Sequence, residues 1–190
     1  TIHRRAALVL LVTGVQSACV MAALTGYAGW LQRSLTAAVT QQVLDDNRAV
    51  AAQFAGLVRE FGFTDLTAGS KDWERLQSVV ERTALPNEGF LCVIANHTGN
   101  LLCHPEMRSH ADLATVDHGA TRLTATSGTA AISDLARPGT TFAGTGLVDD
   151  ETHIIGGTPI PELGITVLAH QRQAGVTRAV AGLMQTSVNI

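Results

Sequence analysis

The chain opens with a long uncharged stretch. No charged residue occurs between residues 6 and 32, whereas basic residues at 3–5 precede this stretch and Arg33 follows it. About 20 residues of apolar helix cross a bilayer, and basic flanks collect on the cytoplasmic side. We therefore expect a cytoplasmic flank over residues 1–5 and a transmembrane helix over residues 6–32.

Two other interpretations of this stretch stay open. A cleaved signal peptide has an apolar region of about 7–15 residues, which is shorter than the stretch seen here. A lipoprotein signal ends on a cysteine after small residues, as at Ser17, Ala18 and Cys19. However, Gln16 stands where an aliphatic residue is usual, and the apolar run continues beyond Cys19.

A helical pattern continues into residues 33–62. Apolar residues recur there at helical steps, at Leu35, Val39, Val43, Val50, Phe54, Leu57 and Phe61. No proline occurs before Pro86, so the pattern predicts one helix that leaves the membrane and runs to about residue 62. One small core cannot cover such a helix, so we expect a homodimer formed through it, as in a coiled coil. Packing on its own domain alone is the alternative.

Short apolar runs separated by turn residues follow. The predicted strands are 90–95, 100–104, 141–147, 152–158 and 165–171, with Asn96-His97-Thr98-Gly99 as the first turn. A short helix is predicted at 72–83, and the crossing at 106–137 has no clear period apart from a helical turn at 130–136. This order predicts an α+β domain over residues 86–171, a five-stranded antiparallel sheet with helices on one side.

The charges divide the chain in the same way. All 16 Asp and Glu residues lie between residues 34 and 175, and none follows Arg178. We expect residues 33–175 to form an acidic domain outside the inner membrane, facing the periplasm or exterior. Residues 176–190 are too few to span a bilayer, and we expect them to begin a second transmembrane helix that is truncated here. An amphipathic C-terminal helix is the alternative.

Composition excludes several function classes. The chain is 46% apolar, 15% charged and 4% aromatic, with a net charge of -3. A single lysine and few aromatic residues argue against nucleic-acid binding. No nucleophile elbow or phosphate-binding loop occurs, so we expect no catalysis within this chain and no cofactor.

Two stretches carry a pattern with a known counterpart. The first runs from Gly89-Phe90 through Asn96-His97-Thr98-Gly99 to His104-Pro105, and the second covers residues 153–170. Their order and spacing resemble the Cache family, extracytoplasmic sensory domains with a PAS-like fold on bacterial signalling receptors. Asn96 departs from the pattern, because Asp is commoner there. The length fits a single Cache domain.

The resemblance implies a small-molecule pocket between the sheet and the crossing at 106–137. Under it, His104, Arg122, Thr141 and His153 are the candidate ligand-binding residues. Arg122 would suit a carboxylate through a two-pronged contact. The implied function is the ligand-sensing input of a transmembrane signal-transduction receptor, whose output domain, such as a histidine kinase, cyclase or chemoreceptor module, lies outside this chain.

Two other functions remain open. One is a ligand-free dimerising spacer or protein-interaction module. The other is a metal or redox sensor: His97, His104, His110 and His118 are donors that zinc prefers, although their spacing matches no metal motif. Cys92 and Cys103 lie on the two arms of the predicted hairpin, where they form either a disulfide or two buried thiols.

Overall fold

A computed structural model describes residues 2–125 and 128–188, without the side chains of residues 2–12, 111 and 186–188. Part of each predicted membrane segment lies outside this description. These parts are the side chains of residues 6–12 in the first segment, and the side chains of residues 186–188 together with all of residues 189–190 in the second. Among the residues that are described, no helix is both long enough and apolar enough to cross a membrane.

The first helix, α1, runs without interruption over Ile2–Glu60. At about 1.5 Å per residue, this length corresponds to about 88 Å. Its C-terminal third is the part that packs on the sheet, because its buried side chains lie there, at Val43, Asn47, Ala51, Phe54, Ala55 and Val58. Apolar side chains nearer the N-terminus, including Met21, Leu24 and Trp30, are exposed.

The sheet has eight antiparallel strands. They are β1 (Ala84–Leu85), β2 (Gly89–Ala95), β3 (Leu101–Cys103), β4 (Arg122–Ala125), β5 (Gly128–Ala131), β6 (Phe142–Val148), β7 (Glu151–Ile160) and β8 (Ile165–Arg172). Their order is β1-β2-β8-β7-β6-β4-β5, and β3 pairs with β2 along the same edge as β1. The α+β class and the antiparallel sheet are confirmed, but the predicted number of five strands is wrong.

The additional strands lie at the ends of the sheet. β1 has two residues, and β4 and β5 form a hairpin inside the stretch that was predicted to lack strands. The predicted helical turn at 130–136 is divided, because β5 continues to Ala131 before the short helix α3 (Ile132–Leu135). Leu123 is the only fully buried residue of β4 and β5, so these strands lack the apolar pattern that marks a buried strand.

Both faces of the sheet are covered, in contrast to the predicted arrangement with helices on one side. On one face, α1 and α2 (Lys71–Arg82) enclose a core that includes Val93, Val167 and Ala169. On the other face, the chain between β3 and β6 packs over Ile155 and Leu168. Burial on both faces explains why residues 90–95 of β2 form a continuous apolar run and why the first half of β8 is mostly apolar.

The fourth helix, α4 (Gln173–Val188), begins directly after β8 and contacts α1. Val176 on α4 packs with Val43 of α1 and Ile154 of β7 in a small apolar cluster. The C-terminal helix α4 therefore packs against α1 where α1 meets the sheet.

Candidate ligand cavity

A cavity of about 560 Å³ lies between the sheet and the segment that follows β3. Small-molecule sites in proteins usually measure about 300–1,000 Å³. The cavity is lined by Glu88, Phe90, Leu101, His104, Pro105, Glu106, Leu113, Val116, His118, Val148, Asp149, Glu151, His153 and Arg172. It therefore combines an apolar wall with titratable groups from five separate parts of the chain.

The helix α2 fixes His104 at the wall of this cavity. Gln77 on α2 is fully buried, and its side chain makes two hydrogen bonds with the backbone of His104. Its Nε2 donates to the His104 carbonyl over 2.7 Å, and its Oε1 accepts from the His104 N–H over 3.2 Å. Trp73 also holds α2 to β3, because its indole N–H donates to the Leu102 carbonyl over 2.7 Å.

The structure brings together two of the four predicted ligand-binding residues. His104 and His153 line the cavity, but Arg122 and Thr141 do not. Arg122 points to solvent because it alternates with buried Leu123 on β4, and its Nη2 lies 3.4 Å from the Thr129 carbonyl. Thr141 lies in a separate depression beside Arg137. Arg122 and Thr141 therefore do not share this cavity with His104 and His153.

Two further histidines, His118 and His170, lie close to His104 and His153. The ring of His170 on β8 stacks on Phe90 at a centroid distance of 4.9 Å and an angle of 5°. His118 and His153 each lie 5.8 Å from His170 between ring centroids. His104 meets the ring of Phe90 edge-on at 4.9 Å. We call these four histidines the histidine cluster.

Strand pairing is the signal that would have placed His170 in this cluster. Phe90 on β2 pairs with His170, and Ile155 on β7 also pairs with His170. Because side chains alternate along a strand, His153, two residues before Ile155, shares the face of His170. No comparable pattern marks His118, which enters the cluster from a 3₁₀ turn capped by the Asp117 carboxylate.

Burial makes the histidine cluster electrically neutral near pH 7. Removal from water is the main cause that lowers the pKa of His104, His118 and His153. The pKa of His170 is lowered furthest, first by complete burial and then by the three neighbouring imidazoles. Neutral imidazoles offer one donor and one acceptor each.

Some of these ring nitrogens have no partner in the described part of the protein. The Nδ1 atoms of His153 and His170 are buried and make no hydrogen bond. His170 uses its Nε2 for a contact of 3.3 Å with the sulfur of Cys92. His104 differs, because its Nδ1 accepts a hydrogen bond from the Glu106 N–H over 3.2 Å.

Carboxylates predominate at the rim of the cavity. Arg172 Nε lies 3.2 Å from Glu151 Oε2, and Arg172 Nη1 lies 3.8 Å from Glu88 Oε2. Glu106 and Asp149 also line the cavity, and neither forms an ion pair with a described residue. With the imidazoles neutral, the lining carries more negative than positive charge.

The residues considered for metal binding do not converge. His104 and His118 line the cavity, whereas His97 and His110 are exposed in other loops. Among the described residues, no group of three or more His, Cys, Asp or Glu side chains is arranged to hold a metal ion.

Cys92 and Cys103 are free thiols rather than the proposed disulfide. Cys103 pairs with Val93, the residue after Cys92, so the two sulfurs point to opposite faces of the sheet. Cys103 accordingly belongs to the core beneath α1, and Cys92 to the core on the cavity side. Burial raises the pKa of both thiols, that of Cys103 to about 12.

A buried polar network joins the cavity side of the sheet to α1. Gln171 lies between His170 and Arg172 on β8 and donates to Asn47 Oδ1 over 3.1 Å. Asn47 is fully buried and donates to the Ile154 carbonyl over 2.9 Å. Asn87, the neighbour of Glu88, lies 3.4 Å from Gln171 Oε1. This network therefore connects α1 with the residues that flank two cavity positions.

Comparisons with known proteins give similarity to solved structures but no match to a known sequence family. No protein-family model matches this sequence, and no curated protein matches it significantly. The fold is similar to the crystal structure of a methyl-accepting chemotaxis protein from Vibrio parahaemolyticus RIMD 2210633, with a TM-score of 0.45 and 9% sequence identity. The similarity covers 74% of this chain and 98% of that chain.

Proposed function

We propose that this chain is the ligand-sensing input module of a transmembrane signalling receptor, with residues 33–175 outside the cytoplasm. The observation that carries the proposal is the position of the cavity and α1 on opposite faces of β7 and β8. A ligand in the cavity contacts residues of the same strands on which the long helix packs. The Cache resemblance of the sequence motifs supports the same function.

Strand β8 makes this relationship concrete. Consecutive residues of a strand point to opposite faces. His170 therefore points to the cavity side, where it belongs to the histidine cluster, and Gln171 points to Asn47 of α1. Arg172, the next residue, lies at the rim of the cavity with Glu88 and Glu151. A small shift of β8 on the cavity side therefore changes the contact with α1.

The exposed part of α1 is the output of the module under this proposal. Its apolar side chains, among them Met21, Leu24 and Trp30, make no core with the sheet domain. We assign residues 6–32 to the membrane and the segment after Arg33 to a homodimer interface with a second copy of α1. A ligand acts on this output only if it binds one arrangement of sheet and helix more tightly than the other.

Thermal denaturation of the full chain in detergent, with a library of organic acids, amines, amino acids and sugars, tests ligand binding. A ligand that binds the folded state alone raises Tm. The variant Val116→Trp places an indole at the cavity lining and should abolish the shift, whereas Leu147→Trp, at an exposed position outside the cavity, should retain it.

Two results would reject the proposal. One is that no compound of the library raises Tm, which would favour a ligand-free spacer. The other is that Val116→Trp responds like the wild type, which would place the binding site elsewhere.

A further inference from the structure

The charge distribution around the cavity indicates which ligands it accepts. We propose that the cavity binds a small organic cation, such as a primary amine with a short hydrocarbon chain. This inference depends on the proposed function, because it names the ligand class of the same cavity.

The first argument is the excess of carboxylates over cations. Of the described residues that line the cavity, Arg172 alone is permanently cationic, and Glu151 and Glu88 already engage it. Glu106 and Asp149 are left without an ion pair among the described residues. A ligand with a positive charge supplies the missing partner, whereas a carboxylate ligand would be repelled.

The second argument is the supply of hydrogen-bond acceptors. His153 lines the cavity, is 4% exposed, and has a buried Nδ1 without a partner. The carboxylates of Asp149 and Glu106 have acceptor atoms only, and a neutral imidazole accepts through one nitrogen. An ammonium group has three donors and no acceptor, so it complements this set.

The third argument separates an organic cation from a metal ion. The described donors do not converge on one point as a metal requires. The cavity instead has an apolar wall that includes Phe90, Leu101 and Val148, and this wall suits a hydrocarbon chain. A volume of about 560 Å³ is also far larger than a single ion.

The turn between β6 and β7 provides a matched pair of variants. Asp149 and Asp150 are adjacent, and both have a left-handed backbone, with φ of 49° and 62°. Asn tolerates this conformation as well as Asp does, so Asp149→Asn and Asp150→Asn should both preserve the turn. Only Asp149 lines the cavity.

The experiment compares ligands of equal length and opposite charge. Butylamine and 1,4-diaminobutane are titrated against butyrate and succinate, with zinc chloride as a separate arm, by calorimetry on the full chain in detergent at pH 7.5. We expect the amines to bind and the carboxylates not to bind. Asp149→Asn should weaken amine binding about tenfold, as for loss of a charged hydrogen bond, while Asp150→Asn retains wild-type affinity.

Several outcomes would overturn the inference. If carboxylates bind and amines do not, the ligand class is wrong while the sensory function stands. Binding of zinc alone would assign a metal site instead. If Asp149→Asn and Asp150→Asn weaken amine binding equally, the loss reflects general attraction by surface carboxylates and not a contact inside the cavity. If Asp149→Asn does not fold, Glu106→Gln takes its place, because Glu106 is the other lining carboxylate without an ion pair among the described residues. A chain that binds nothing, even in the full library, rejects both proposals.

Discussion

The side-chain amide of Gln171 on β8 donates a hydrogen bond of 3.1 Å to Asn47 on α1, across the buried interface between sheet and helix. Asn47 has no exposed surface, and its own amide donates to the Ile154 carbonyl. Because Asn47 is fully buried and Gln171 is nearly so, these polar atoms depend mainly on their protein partners.

We therefore expect Asn47→Ala to lower the free energy of unfolding by about 2–4 kcal/mol, since it removes the acceptor of the buried Gln171 amide and one donor to the Ile154 carbonyl. Urea denaturation followed by circular dichroism measures the effect. Gln41→Ala, at an exposed position on the same helix, is the control and should change stability by less than about 0.5 kcal/mol. Equal stability of the two variants would show that the network contributes little.

Gly156 on β7 permits the close approach of α1 to the sheet. A Cβ at this position would lie 2.4 Å from the backbone nitrogen of Arg48 and 2.4 Å from the carbonyl carbon of Asn47. We expect Gly156→Ala to destabilise the fold by about 3 kcal/mol, because backbone atoms must move apart. Thermal and urea unfolding both report this change.

Gly56, within α1, is the matched control for that variant. A Cβ there meets no atom within 4 Å. Gly56→Ala should therefore stabilise the chain by about 0.5–1 kcal/mol, as expected for Ala over Gly inside a helix. If both variants changed stability in the same direction, the close contact at Gly156 would not be the cause.

The histidine cluster predicts a loss of stability in mild acid. Each of these imidazoles has a lower pKa in the folded chain than the ordinary value of 6.5, so the unfolded chain binds protons more readily. The free energy of unfolding therefore has its full value, as far as these imidazoles determine it, above about pH 6.5. It falls as the pH decreases below this value, by up to about 1.4 kcal/mol per pH unit for each imidazole. Urea midpoints measured from pH 7.5 to pH 5 test this slope.

Two variants assign the slope to the cluster. His170→Leu removes the most deeply buried imidazole and should flatten the dependence of stability on pH, whatever its effect on stability at pH 7.5. His97→Gln removes an exposed imidazole and should leave the slope unchanged. A slope that His170→Leu does not alter would contradict the prediction.

The two core cysteines predict a distinct pattern of thiol reactivity. In a Cys19→Ser background, Cys92 and Cys103 should react with an aqueous thiol reagent only after unfolding, because both are buried and burial raises their pKa. Denaturation without reductant should release two thiols per chain. Release of none would indicate a disulfide, and the opposite orientation of the two residues would then be wrong.

The α+β class was predictable because the pattern of apolar residues is strong where burial is complete. Residues 90–95 lie in a strand covered on both faces and form an unbroken apolar run, and residues 165–169 are apolar apart from Thr166. The strands β4 and β5 were missed for the opposite reason. They lie at the edge of the sheet and are rich in Thr, Ala and Gly, which a loop also accommodates.

The site was predictable only in part, because it depends on pairing between distant strands. His104 and His153 belong to the motif stretches, and the order of strands brings them to one cavity. The burial of His118 and His170 is a tertiary property that residue type does not reveal, since histidines are as often exposed as buried. Arg122 was misplaced because its strand was not recognised, and its alternation with Leu123 sets its direction.

The rigid length of α1 gives its anchor at Asn47 a mechanical consequence. From Asn47 to Thr13 the helix extends about 51 Å at 1.5 Å per residue. A tilt of about 2° at the anchor would displace the far end by about 2 Å, comparable to the helix shifts of about 1–2 Å that switch receptors between states. Under the proposed function, α1 converts a small tilt at the sheet into a larger displacement at its far end, so a ligand would need to disturb the domain by only a few tenths of an ångström.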